Sequence, residues 1–342
     1  MRVPRRLVAI VVSLAVPFAV GLPAGAANVP APLADFQAQL SAFSVRAPGH
    51  VGIMVQDVLT GMTTGFNAGA EMPAASTIKI PVMVEVFRQL GIRKFDLNTR
   101  VKLRRSDKDW GSGDLARARV GSSYPVSRLL DLMIDVSDNT ATNMLIRLVG
   151  RPHINQEMEE LGLTHTRLTD FIRSRGPHIR WSLRSSPADM AHLLRKMARK
   201  QLIDEWSSGE MLAILSGQQH NGLLPEPLPE GTQIAHKTGT LHDTLNDVGI
   251  VYEGADPYVI AVMTTDLRTL SSGRRFIRGV SRLAYDALGR FAVWRGVNDF
   301  NPDAESAAPT DAAPPTADQQ MWTPQNVPAP VAEPATTPTP AP

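Results

Sequence analysis

A serine and a lysine three residues apart, Ser76 and Lys79 in Ser76-Thr77-Ile78-Lys79, are the side chains with the clearest capacity for chemistry in this chain. On a helix, positions i and i+3 share a face, so the lysine amine can take the serine proton. A serine activated in this way attacks carbonyl carbon and carries an acyl group. Taken alone, the spacing equally describes a surface serine beside a solvated lysine. Two further motifs follow in order: Ser137-Asp138-Asn139 between two apolar-periodic segments, and Lys237-Thr238-Gly239 closing an alternating one. Each tripeptide arises by chance in roughly a few chains per hundred, so the three together argue against coincidence.

With those residues in place, the chain resembles the penicillin-recognising serine enzymes, and within them the class A β-lactamases. The likeness runs from about Asp35 to Ala292 and extends beyond the minimal motifs, through Val136 to Asn143 and His236-Lys237-Thr238-Gly239-Thr240. It implies that Ser76 attacks the carbonyl of a β-lactam or an acyl-D-Ala-D-Ala peptide, with Lys79 as candidate base. Ser137 then relays a proton to the leaving nitrogen, assisted by Lys237. The resemblance also assigns the backbone N–H groups of Ser76 and Thr240 to the oxyanion, a feature worth a few kcal/mol per donor. Lys237, Thr238 and Thr240, on the strand that carries Gly239, would hold the substrate carboxylate. Asn139 would bind the side-chain amide and contact Lys79, while Asp138 fixes its loop. Trp110 falls where the family places an aromatic at the cleft rim; packing is an equal reading.

One element of the pattern is missing. Class A enzymes carry a glutamate beyond a Thr-Arg-Leu stretch, and it activates the water that hydrolyses the acyl-enzyme. Here Thr166-Arg167-Leu168 is present, but Ile172 falls at the glutamate position. Asp170, two residues early, reads as a loop hydrogen-bond acceptor or a partner of Arg167. Without a positioned base, the ester on Ser76 should persist toward β-lactams. Three functions therefore stay open: a β-lactamase of slow turnover, a D-Ala-D-Ala carboxypeptidase or penicillin-binding protein acting on peptidoglycan, and a non-catalytic binder of wall peptide or antibiotic.

The elements that must position these residues are legible from periodicity. Phe36, Leu40 and Phe43 mark an amphipathic helix. Val51, Ile53 and Val55 alternate, Leu59-Thr60-Gly61 turns, and Met62 to Phe66 returns as a second strand. Behind Ser76, the positions Ile80, Val84, Phe87 and Leu90 predict a buried helix that tolerates Pro81 in its first turns. From Gly91 to about Glu230 the segments are mostly helical. Strands return at Gln233–Thr238, Val248–Tyr252 and Tyr258–Thr264, and a last helix covers about Arg274 to Val293. The fold class is α+β: an antiparallel sheet built from both ends of the chain, flanked by N- and C-terminal helices. An all-helical lobe, about 91–230, is inserted into it, with the site in the cleft between lobes.

Composition bounds the rest. Arg2, Arg5 and Arg6 precede an apolar run, Leu7 to Leu22, and the small residues Ala24-Gly25-Ala26, the order of a secretory signal covering 1–27. Export by a cleavable signal, Sec-type or twin-arginine, is the expectation. The catalytic domain would span 28–300. From 301 to 342 the chain is rich in Pro, Ala and Thr and reads as a disordered tail, with eleven of the 27 prolines. Setting the two ends aside moves the formal charge from +2 to +4, which suits an anionic small substrate or wall polymer. No aromatics are interleaved with the basic residues, so nucleic acid is excluded as a partner. With no cysteine, thiolate chemistry and disulfide scaffolding are excluded as well. The histidines show no metal-ligand spacing. Neither metal nor cofactor is called for, and the protein is expected to be a monomer.

Overall fold

The alternation at Val51, Ile53 and Val55 produces an inner strand of a sheet, paired on both sides. In the computed structural model the described residues are 29–175, 180–253, 256–298 and 300. The expected leader and the tail 301–342 lie outside them. Helix α1 (Ala31–Ser44) precedes the hairpin of β1 (His50–Asp57) and β2 (Thr63–Phe66), and β3 (Met72–Pro73) leads through a 3-10 turn, Ala75–Ile78, into α2 (Lys79–Gly91). The short strands β4 (Arg100–Lys102) and β5 (Ser123–Pro125) precede α3 (Val126–Asp135), α4 (Asn139–Val149) and α5 (Arg151–Glu160). Next come β6 (Arg167–Leu168), β7 (Leu183–Ser185), α6 (Pro187–Ala198) and α7 (Glu205–Ser216). The chain then returns through β8 (Gln233–Thr240), β9 (Leu245–Glu253), β10 (Asp256–Thr265) and α8 (Leu270–Val297).

The main sheet has the order β2-β1-β10-β9-β8, antiparallel throughout. Both ends of the chain build it, as the α+β reading requires. Strand β10 shows why it sits centrally. Tyr258, Ile260 and Val262 enter one core with α1 and α8, whereas Val259, Ala261 and Met263 enter a second core with the helical lobe. Successive side chains on a strand point to opposite faces, so a strand apolar at every position is buried on both.

Helix α2 is the axis of the second core, and every residue from Lys79 to Phe87 is buried. Pro81 lies in its first turn, where no intrahelical partner for its N–H is needed. Helices α7 and α8 begin at Glu205 and Leu270, earlier than about Glu210 and Arg274, where apolar periodicity starts them. Asp204 caps α7 by accepting from Ser207 N at 2.7 Å, and Thr269 caps α8 by accepting from Ser272 N at 3.1 Å. Such caps lengthen a helix with polar residues that carry no periodic signal. Strands β3 to β7 form two small sheets; at two or three residues each, they are too short to alternate. Among the described residues no helix is long and apolar enough to cross a membrane.

Candidate active site

Strand β8 is an edge of the main sheet, and its free side lies against the 3-10 turn that carries Ser76. Gly239 permits this approach: a Cβ there would lie 3.0 Å from Ala74 O and 3.1 Å from Ser76 N. The turn is pinned from β9 by buried Asn246, whose Nδ2 donates to Pro73 O at 2.8 Å and Ala74 O at 3.1 Å. Ala75 has φ 49° and Ser137 φ 58°. Left-handed backbone at a non-glycine residue costs about 1–3 kcal/mol, and here it occurs in the two turns that present hydroxyls to one cavity.

That cavity, of about 970 Å³, is lined by Ser76, Ser137, Asn139, Ile172, Thr238 and Thr240 among others. Ser76 sits in the 3-10 turn rather than in the helix itself, and α2 starts only at Lys79. Among the described residues its Oγ makes no hydrogen bond, which leaves it open to the cavity. Lys79 is fully buried. Its Nζ donates to Ser137 O at 2.6 Å, Ser137 Oγ at 3.0 Å and Asn139 Oδ1 at 2.8 Å. Burial and the nearby charge of Lys237 hold its amine well below the ordinary lysine range, against Asp138 and Asp109. A neutral amine keeps two N–H donors and one lone pair. Ser137 O and Asn139 Oδ1 can take the donors, and the lone pair remains for a hydroxyl proton.

Lys237 is the second buried cation. Burial lowers it to about 7, opposed by Asp247. Its Nζ donates to Thr238 O at 3.0 Å, which occupies one of the three donors of an ammonium. Asp247 also receives His236 Nδ1 at 2.8 Å and Leu224 N at 3.0 Å. Asp138 caps α4 by accepting from Ala141 N at 2.8 Å and ties it to the turn at 115–117 by accepting from Leu115 N at 2.8 Å. Arg173, Arg180 and Arg274 line the cavity, and none of the described lining residues is an acid, although Arg180 is paired behind the wall with Asp243 and Asp266. A wall of one sign attracts anions.

Trp110 is 68% exposed, with Lys108 Nζ 5.9 Å over its ring. It therefore does not pack in the interior; its neighbours Gly111 and Ser112 line the cavity. Asp170 is not among the described residues that line the cavity. Its Oδ1 accepts Phe171 N at 2.7 Å and lies 3.8 Å from Arg151. Arg167, the partner suggested by sequence, pairs instead with Glu159 at 3.4 Å. Ile172 is buried on the cavity wall.

A profile of the Beta-lactamase enzyme family matches residues 35–288. The chain belongs to that family. Its sheet, its helical lobe and the order of its motifs are those of a β-lactamase-type serine hydrolase. A beta-lactamase structure from Sphaerobacter thermophilus is 32% identical, covers 75% of this chain and 97% of its own, and superposes with a TM-score of 0.68. PBP-A is 31% identical with a TM-score of 0.70, covering 75% of this chain and 96% of its own. A mutant of PBP-A has been solved as an acyl-enzyme complex with penicillin G. Beta-lactamase CTX-M-8 of Citrobacter amalonaticus is 23% identical over 270 residues, 73% of this chain and 88% of its own.

Sequence reasoning missed three side chains around this family's site. Asn246, Asn143 and Asp109 are all buried. Asn143 lies one helical turn beyond Asn139 and so shares its face. Asp109 immediately precedes Trp110, and no pattern marks it as an acceptor for Asn139.

Proposed function

We propose that the protein is an active-site serine hydrolase of the class A β-lactamase type, acylated at Ser76 by β-lactams and slow to release the product. Lys79 Nζ takes the proton of Ser76 Oγ as the oxygen bonds to the β-lactam carbonyl carbon. The oxyanion is held by Ser76 N–H and Thr240 N–H. As the C–N bond breaks, the proton passes from Lys79 through Ser137 Oγ to the leaving nitrogen. Lys237, Thr238 and Thr240 bind the substrate carboxylate, and Asn139 binds the acyl side-chain amide. The enzyme works outside the cytoplasm after removal of its leader.

The observation that carries the slow release is Ile172, buried on the cavity wall where an acid would activate water. The same observation favours a second reading, a D-Ala-D-Ala carboxypeptidase of peptidoglycan, together with the likeness to PBP-A. Its peptide ester would be released through Lys79. Intact-mass measurements over time after adding penicillin G test the first reading. A stoichiometric adduct that decays slowly and is lost in Ser76→Ala supports it, and rapid turnover without an adduct contradicts it. D-alanine release from a D-Ala-D-Ala peptide tests the second. Absence of both adduct and turnover of either substrate would instead mark a non-catalytic binder.

A further inference from the structure

Asp109 joins three segments that the reaction needs in register. Its Oδ1 accepts Asn139 Nδ2 at 2.8 Å and Gly111 N at 3.0 Å. Its Oδ2 accepts Ser174 N at 2.8 Å and Ser174 Oγ at 3.0 Å. Gly111 lets the segments meet: a Cβ there would lie 2.3 Å from Ser174 Cβ and 3.1 Å from Asn139 Nδ2. We infer that Asp109 is a positioning residue for acylation, fixing which end of the Asn139 amide faces Lys79 and tying the loop of Ile172 to the same unit.

The two ends of a carboxamide are nearly equal in shape, so their partners decide its orientation. An ionised carboxylate only accepts, so it admits the Nδ2 end of Asn139 and excludes the Oδ1 end. Asn139 Oδ1 then has to face Lys79 Nζ, at 2.8 Å. The second N–H of Asn139 Nδ2 remains for the cavity. Burial works against a charge on Asp109, but the hydrogen bonds from Asn139, Ser174 and Gly111 prevail and hold its pKa below the usual carboxylate range. The charged groups acting on Lys79 are Lys237, which lowers its pKa, and Asp138 and Asp109, which raise it.

The inference rests on the reading of Ser76 as the acylated nucleophile, and its test has a readout independent of that reading. Acylation by a fluorescent penicillin would be followed across pH in wild type, Asp109→Asn and Ser174→Ala. Lys79 would be titrated by NMR of lysine labelled with ¹³C at Cε. In Asp109→Asn, acylation should slow about tenfold to a hundredfold, the equivalent of a charge-assisted hydrogen bond, and Lys79 should titrate at lower pH. Ser174→Ala, which keeps the Asn139 contact, should acylate near the wild-type rate with Lys79 unmoved. A wild-type rate and titration in Asp109→Asn would overturn the inference. So would an equal loss in Ser174→Ala, because the loop tether alone would then explain it. Should Asp109→Asn fail to fold, Asp109→Glu, which keeps the charge but displaces the acceptors, must show slowed acylation. A wild type that no penicillin labels would sink the reading of Ser76, and the titration of Lys79 would still judge Asp109.

Discussion

Asn143 holds Ile172 by both of its backbone groups: Ile172 N donates to Asn143 Oδ1 at 2.8 Å, and Asn143 Nδ2 donates to Ile172 O at 3.1 Å. The same Nδ2 donates to Asp107 O at 3.0 Å. A residue clasped in this way has little freedom to turn, so the Ile172 side chain stays on the cavity wall. The identity of that side chain would therefore decide what meets the proposed acyl-enzyme.

Ile172→Glu should accelerate deacylation. The clasp would aim a carboxyl at the cavity, where burial raises its pKa toward that of an effective base. General-base catalysis contributes about a hundredfold or more, read as penicillin turnover and a shortened adduct lifetime. Thermal stability should fall, since Ile172 is 5% exposed and gives up apolar contacts. An adduct as persistent as in wild type would show that Ile172 does not control release.

Asn143→Ala should loosen the loop without touching the nucleophile. It leaves buried backbone groups of Ile172 and Asp107 without partners, which costs about 1–3 kcal/mol for each unsatisfied group. Urea unfolding should show the loss, and limited proteolysis should cut near Ile172 sooner than in wild type. Unchanged protection of that segment would contradict the clasp.

The pKa of Lys237, lowered to about 7, gives a pH dependence with a definite sign. Above the ordinary lysine value both folded and unfolded chains are neutral there, and stability is complete. Between that value and about 7 the unfolded chain holds the proton and the folded chain does not, so stability falls as pH falls. Below about 7 the whole penalty is present. Lys237→Met should remove this slope and raise the unfolding midpoint near pH 6, because an apolar side chain replaces a buried charge with one hydrogen bond. Acylation by carboxylate-bearing β-lactams should collapse in the same variant. In wild type it should decline above about pH 7 as Lys237 loses its proton, with the limb moving upward when substrate is saturating.

Arg147→Met tests the frame beneath the rim. Arg147 donates to both oxygens of Asp107, each at 2.8 Å, and Asp107 is 1% exposed. Removing one member of such a pair costs up to about 3–5 kcal/mol, because the buried Asp107 charge keeps only the Arg104 N–H, which donates to its Oδ2 at 2.7 Å. A loss under about 1 kcal/mol by urea denaturation would show that water enters to replace the guanidinium.

The residues that meet at the cavity were legible in the sequence because their spacing is local. Ser76 and Lys79 are three residues apart, and each of the other two motifs is three consecutive residues. The α+β fold was legible for a related reason, since period-two and helical patterns survive wherever an element is long enough to repeat. Short strands such as β6, and helix starts set by Asp204 and Thr269, carry no such repeat.

By itself, the sequence determined the order and identity of the motif residues, the antiparallel sheet drawn from both chain ends, and the absence of an acid at position 172. Tertiary structure alone decided where protons and charges sit. Lys79 and Lys237 are ordinary lysines until burial strips their water. Asp109 touches Asn139 across 30 residues and Ser174 across 65. Long-range contacts leave no periodic trace, because hydrogen-bond partners and desolvation depend on distance in space rather than along the chain.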